Sequence, residues 1–181
     1  WRDDKWPRLF AERIPRLQRS IAKVLGSTTP QQLVFASNTH ELVLRLFSCL
    51  PEDRPIRVLT SSSEFHSFDR QLRRLEETGQ YQVVRLPSES ISSFSDRLVE
   101  HLQDWKPDLV FFSQVFFDSG LAVTELEQII TALPEQCIAV IDGYHGFLAL
   151  PTPIGPLLNR CFYLAGGYKY AQAGEGCCFM H

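Results

Sequence analysis

The chain has 181 residues, of which 44% are hydrophobic, 22% charged and 12% aromatic, with a formal net charge of -3. That is the size and make-up of one globular domain with ample apolar chain for a core. The negative balance offers no basic field to a nucleic acid, and no apolar run approaches the roughly 18 residues of a membrane helix, so neither partner is expected. The five cysteines form no C-x-x-C pair and no zinc spacing. Cys177 and Cys178 therefore read as buried free thiols, in a chain suited to a reducing cytoplasm.

Taken in chain order, "WPRLFAERIPRLQRSIAKVL" (6–25) carries apolar residues at helical spacing, with Pro15 expected to kink or restart the helix and Gly26 to close it. "QLVFA" reads as a strand and "HELVLRLFSCL" as an apolar helix starting near Thr39. Next come strand "IRVLT", helix "FDRQLRRLEETG", strand "YQVVRL" and helix "ISSFSDRLVEHLQ", the last capped by Ser92 or Ser93. Strand "PDLVFFSQV", helix "VTELEQIITALP" and strands "CIAVIDG", "CFYLAG" and "GCCFM" complete the chain. Strands and helices alternate, and the strands are continuous apolar runs, the mark of strands covered on both faces. The expected fold is an α/β three-layer domain with a mostly parallel sheet. The chain begins without Met and breaks off in a strand, so a fragment is expected.

In such sheets ligands sit beyond the carboxyl ends of the strands. After "QLVFA" stand Ser37, Asn38 and Thr39, which can cap the next helix, bind an anion with its free N–H groups, or both. After "IRVLT" comes "SSSEFHSF", where a ring could stack on a planar ligand or tuck into the core. Ser113 and Gln114 follow "DLVFF". Asp142 ends "CIAVI" and Lys169 follows "CFYLA", so an acid and an amine terminate consecutive strands. A phosphate loop of the G-x-x-x-x-G-K-[ST] type and a G-x-S-x-G elbow are both missing. Glu64, His66, Asp142 and His145 could be drawn as a metal site, which would leave Lys169 without a role. Pyridoxal phosphate would use the whole set: a lysine for an imine, an acid for the ring nitrogen, an anion site and an aromatic face. Gly166 and Gly167 then read as room for that cofactor.

"VIDGYHG", "GGYKYAQAGEG" and "SSSEFHSF" together resemble the large domain of fold-type I pyridoxal-phosphate enzymes, in the class V aminotransferase group with kynureninases and cysteine desulfurases. The resemblance covers nearly the whole chain, as a partial cofactor-binding large domain (1–181) without the small C-terminal domain. It implies that Lys169 is the Schiff-base lysine and proton carrier, that Asp142 pairs with the pyridine nitrogen, and that His145 lies beside it. Phe65 would stack on the ring, Gln114 would face the cofactor, and Asn38, Thr39, His40 and Tyr168 would hold the phosphate. The implied activity is that of a transferase or lyase on a small amino acid, class V aminotransferase-like. The alternatives are a kynureninase-type hydrolase, a desulfurase-type lyase or a non-catalytic scaffold of the same fold. The group's enzymes are homodimers. Three places depart from its pattern: Phe116 stands where kynureninase-like sequences carry Asn, Tyr144 replaces a small residue, and Gly166-Gly167 stand where relatives often carry serine or threonine before the lysine.

Overall fold

The computed structural model describes residues 3–51, 53–151 and 153–181. A seven-stranded sheet runs in the order β1-β7-β6-β5-β4-β2-β3. Its strands are β1 (Val34–Ala36), β2 (Ile56–Ser61), β3 (Tyr81–Leu86), β4 (Leu109–Ser113), β5 (Ile138–Asp142), β6 (Phe162–Gly166) and β7 (Cys178–Met180). All pairings from β6 through β3 are parallel. Only β7 runs the other way, inserted between β1 and β6.

The α-helices among the described residues are α1 (Lys5–Pro7), α2 (Ile14–Leu25), α3 (Thr39–Phe47), α4 (His66–Glu76), α5 (Ile91–Trp105) and α6 (Leu126–Thr131). Successive strand side chains point to opposite faces, and two cores follow from that alternation. In β4, Val110 and Phe112 join one core while Leu109 and Phe111 join the other. The first core is covered by α2, α5 and α6 through Ile21, Leu25, Phe94, Leu98, Leu102, Ile129 and Ile130. The second is covered by α3 and α4 through Leu42, Val43, Leu46, Phe47, Phe68 and Leu72. This is the expected three-layer arrangement.

The helix expected from Trp6 to Leu25 is divided. A π-helical stretch, Arg8–Arg13, lies between α1 and α2, and Pro15 falls in the first turn of α2. Proline has no N–H to bond one turn back, and its ring crowds that carbonyl; the wider turns lie just upstream of it. Gly26, at φ 70°, closes α2 in the left-handed conformation, as glycine does without a Cβ penalty. Ser92 and Ser93 are not the cap of α5, because the helix starts one residue after Ser90, and Ser93 Oγ instead donates to the Ser90 carbonyl at 3.2 Å. α6 is shorter than the apolar pattern implied.

Candidate active site

The carboxyl ends of β5 and β6 lie side by side, with Asp142 opposite Leu164 in register. Asp142 is buried, and its Oδ1 accepts the Tyr144 N–H at 2.9 Å. Burial pushes its carboxyl up to about 6, against the opposing pull of that N–H and of the Lys169 charge. Lys169 follows β6 through Gly167 and Tyr168. Burial lowers its pKa, and Asp142 partly restores it. The amine hydrogen-bonds the imidazole of His145, whose pKa falls through burial first and then the nearby lysine charge. Nζ also lies 5.0, 5.5 and 5.8 Å from the ring centroids of Tyr144, Phe65 and Tyr168. An amine and an imidazole whose pKa values are lowered, and a buried acid whose pKa is raised, thus cluster at the carboxyl ends of two central strands.

These groups border a cavity of about 390 Å³, lined also by Ser37, Asn38, Thr39, Ser67, Glu175, Gly176 and Cys178, within the usual size range of small-molecule sites. Asp142 is buried and is not among its lining residues. The N-terminus of α3 faces the cavity, and Asn38 caps it by accepting the Glu41 N–H at 2.9 Å. Glu41 reaches back to accept from Ser37 N at 3.3 Å and Ser37 Oγ at 3.1 Å. That reciprocal cap, the pairing a capping box makes, takes up one N–H of the anion-ready turn and leaves Thr39 on the cavity wall.

Of the nine site residues anticipated, Lys169, His145, Phe65, Tyr168, Asn38 and Thr39 line the cavity, and Asp142 is buried within reach of the Lys169 charge. Two stand elsewhere. His40 is exposed, and its side chain borders a separate groove between α3 and α4. Gln114 is buried beneath Gly146, and its Oε1 accepts the Tyr163 hydroxyl at 3.0 Å. A cofactor-facing side chain is thus turned into a core hydrogen bond. The two glycines before Lys169 also do other work. A Cβ on Gly166 would stand 2.0 Å from Tyr144 Oη, and one on Gly167 would stand 2.8 Å from Ala173 Cβ. Their room is taken by the protein's own side chains.

Sequence reading passed over three neighbours. Phe117 stands edge-on to Phe65 at 5.4 Å, while Phe116 turns into the core against Phe94 at 5.3 Å; the paired phenylalanines were the available signal. Cys178 lies 3.4 Å from Tyr144 Oη. Glu175 lies on the cavity wall. Among the described residues no three His, Cys, Asp or Glu side chains converge as metal ligands, so Glu64, His66, Asp142 and His145 form no such set. No helix among those residues is long and apolar enough to cross a membrane.

No family model matches the chain, and no curated protein sequence matches it. Solved structures do. Cysteine desulfurase CsdA from Escherichia coli is similar at a TM-score of 0.77 and 18% identity, over 100% of this chain and 45% of its own. Histidinol-phosphate aminotransferase from Sinorhizobium meliloti, in complex with pyridoxal-5'-phosphate, gives 0.72 and 20%, over 92% and 47%. Ureidoglycine-glyoxylate aminotransferase from Bacillus subtilis gives 0.71 and 13%, over 92% and 43%. At these identities the likeness is one of fold. The chain thus has the α/β fold of fold-type I pyridoxal-phosphate enzymes, matching desulfurases and class V aminotransferases over nearly its whole length. It spans less than half the length of those structures.

Proposed function

We propose that residues 1–181 form the cofactor-binding large domain of a pyridoxal-phosphate-dependent enzyme acting on a small amino acid, most similar in type to class V aminotransferases. The observation that carries this reading is that the Lys169 amine, with its pKa lowered, and the buried Asp142 carboxyl stand at or just past the ends of adjacent parallel strands, each within reach of the other's charge. The donor set fits the group. Lys169 supplies an amine to hold it covalently, Asp142 an acid for its ring nitrogen, and Phe65 an aromatic face. The N-terminus of α3 presents N–H groups and its positive dipole end to a phosphate.

When bound, pyridoxal phosphate supplies an electron sink for charge developing on an amino-acid carbon. The residues supply the rest. Lys169 Nζ lies 5.0–5.8 Å from the centroids of the Tyr144, Phe65 and Tyr168 rings, where it would hold the group and, as a free amine, carry a proton. His145, biased toward its neutral form by burial and then by the lysine charge, shares a hydrogen bond with that amine. Phe65, Tyr144 and Tyr168 set their rings around it on the cavity wall. We place the working enzyme in the cytoplasm as a homodimer, on the resemblance of its motifs to that group.

Adding pyridoxal phosphate to the purified chain should give a yellow species, and borohydride should fix the cofactor on Lys169. Mass analysis of the Lys169 peptide reads the adduct, and Lys169→Ala should abolish it. A spectrum indifferent to pyridoxal phosphate, or an adduct on another lysine, would overturn the reading. Screening amino acids against the spectral shift then separates transamination from hydrolysis and elimination.

A further inference from the structure

Glu64 has no part in the scheme above, yet it is a deeply enclosed acid beside the site. It lies in the β2–α4 connection and is 5% exposed. Its Oε1 accepts the Ser113 N–H at 3.1 Å and meets the Ser61 hydroxyl, while Oε2 lies 2.7 Å from Ser113 Oγ. Ser61 ends β2 and Ser113 ends β4, and Ser113 pairs in register with Asp142 on β5. One carboxyl therefore fastens two strand ends together, a single strand away from the other carboxyl. The groups facing Glu64 are the two serines and Asp142; those acting on Asp142 are the Tyr144 N–H and Lys169. The only cation in this set acts on Asp142, and two ionised carboxylates sharing a buried patch repel strongly.

We infer that Glu64 is a positioning residue for Asp142, acting as a neutral, proton-bearing acid. It ties the ends of β2 and β4 beside Asp142 without adding a second negative charge. Asp142 is then the one acid of the pair that ionises at neutral pH, which is the form a protonated ring nitrogen requires. That last step rests on the pyridoxal-phosphate reading, whereas the coupling of the two acids does not. Desolvation supports the assignment: it raises Glu64 to about 8 against the hydrogen bonds from Ser61 and Ser113, the Asp142 charge adding to it, while Asp142 is raised only to about 6. In a coupled pair with separated midpoints, the second acid to ionise carries the effect of the first.

Carbon-13 NMR of the side-chain carboxyls of the cofactor-free chain tests this without any turnover. Glu64 should titrate far above the ordinary range, and its resonance should show a small early step at the Asp142 midpoint. Asp142→Asn should lower the Glu64 midpoint by a unit or more, because the like charge is gone. Glu64→Gln should leave the Asp142 midpoint unchanged, since a neutral amide resembles a neutral acid in charge and shape. Pyridoxal-phosphate affinity at neutral pH should stay within about threefold in Glu64→Gln and fall about tenfold or more in Glu64→Ala. A Glu64 midpoint in the ordinary carboxylate range, or no early step in the unsubstituted chain, overturns the inference even if Asp142→Asn fails to fold. Equal affinity in Glu64→Ala also overturns it. Coupled carboxyls in a chain that binds no pyridoxal phosphate would instead sink the proposed function alone.

Discussion

Gly166 shows how a single missing side chain shapes the site. The Tyr144 ring occupies the space where its Cβ would be, with Oη 2.0 Å from that point. Gly166→Ala should therefore force Tyr144 out of the wall and destabilise the chain by about 1–3 kcal/mol. Adding Tyr144→Ala should recover most of that loss, and a double-mutant cycle in denaturant melts reads the coupling. At this scale Lys169 and Asp142 were legible because their residue types were anomalous at the ends of apolar strands. Gln114 was misread because a polar residue after a strand looks the same whether it faces a ligand or, as here, the Tyr163 hydroxyl. The clustering of Glu64, Ser61 and Ser113 depends on β4 lying beside β2, a neighbour relation that residue order does not state.

Among the elements, α3 joins sheet to site. Its N-terminus faces the cavity, and its apolar stripe of Leu42, Val43, Leu46 and Phe47 holds it on the second core. Asn38→Ala removes the side-chain cap and should cost about 1 kcal/mol, read as a lower midpoint in denaturant unfolding. Ser37 should lose part of its hold on Glu41 as the turn loosens. In α4, Phe68 stacks on Phe111 with centroids 3.7 Å apart, and Phe68→Ala should cost about 3–5 kcal/mol. Helix and strand order was readable because helical apolar spacing alternates with short continuous apolar runs along the chain. Ends were less readable. α5 is entered at Ile91 without a side-chain cap, so serines placed to suit a cap gave a false signal. The apolar residues flanking α6 continue its pattern without continuing the helix, because Val123 N bonds the Gln114 carbonyl at 2.8 Å instead.

For the molecule as a whole, two buried acids set a pH dependence. Glu64 rises from 4.5 to about 8 and Asp142 from 3.8 to about 6 on folding. Each folded value lies above the unfolded one, so the stability each contributes is full below the unfolded value and is lost as pH rises through the folded one. Stability should thus decline between about pH 4 and 8, by at most ~1.4 kcal/mol per pH unit for each proton involved. Chemical denaturation at a series of pH values checks this. Glu64→Gln should flatten the curve between about 6 and 8 and leave the lower part standing; a slope unaltered in that range would contradict the assignment.

The antiparallel strand β7 carries a consequence for the order of assembly. β1 joins the sheet only through β7, with Phe35 paired to Phe179. The turn at Ser37–Thr39 that follows β1 is therefore anchored by residues made far downstream of it. Closing that long loop is entropically slow, as for any contact of high sequence separation. The β2–β4 register can form from nearer segments first. During synthesis, the amine and acid ends of β5 and β6 can be in place while the anion turn still waits for its anchor. The cavity wall at Ser37–Thr39 is then completed by the last strand to dock.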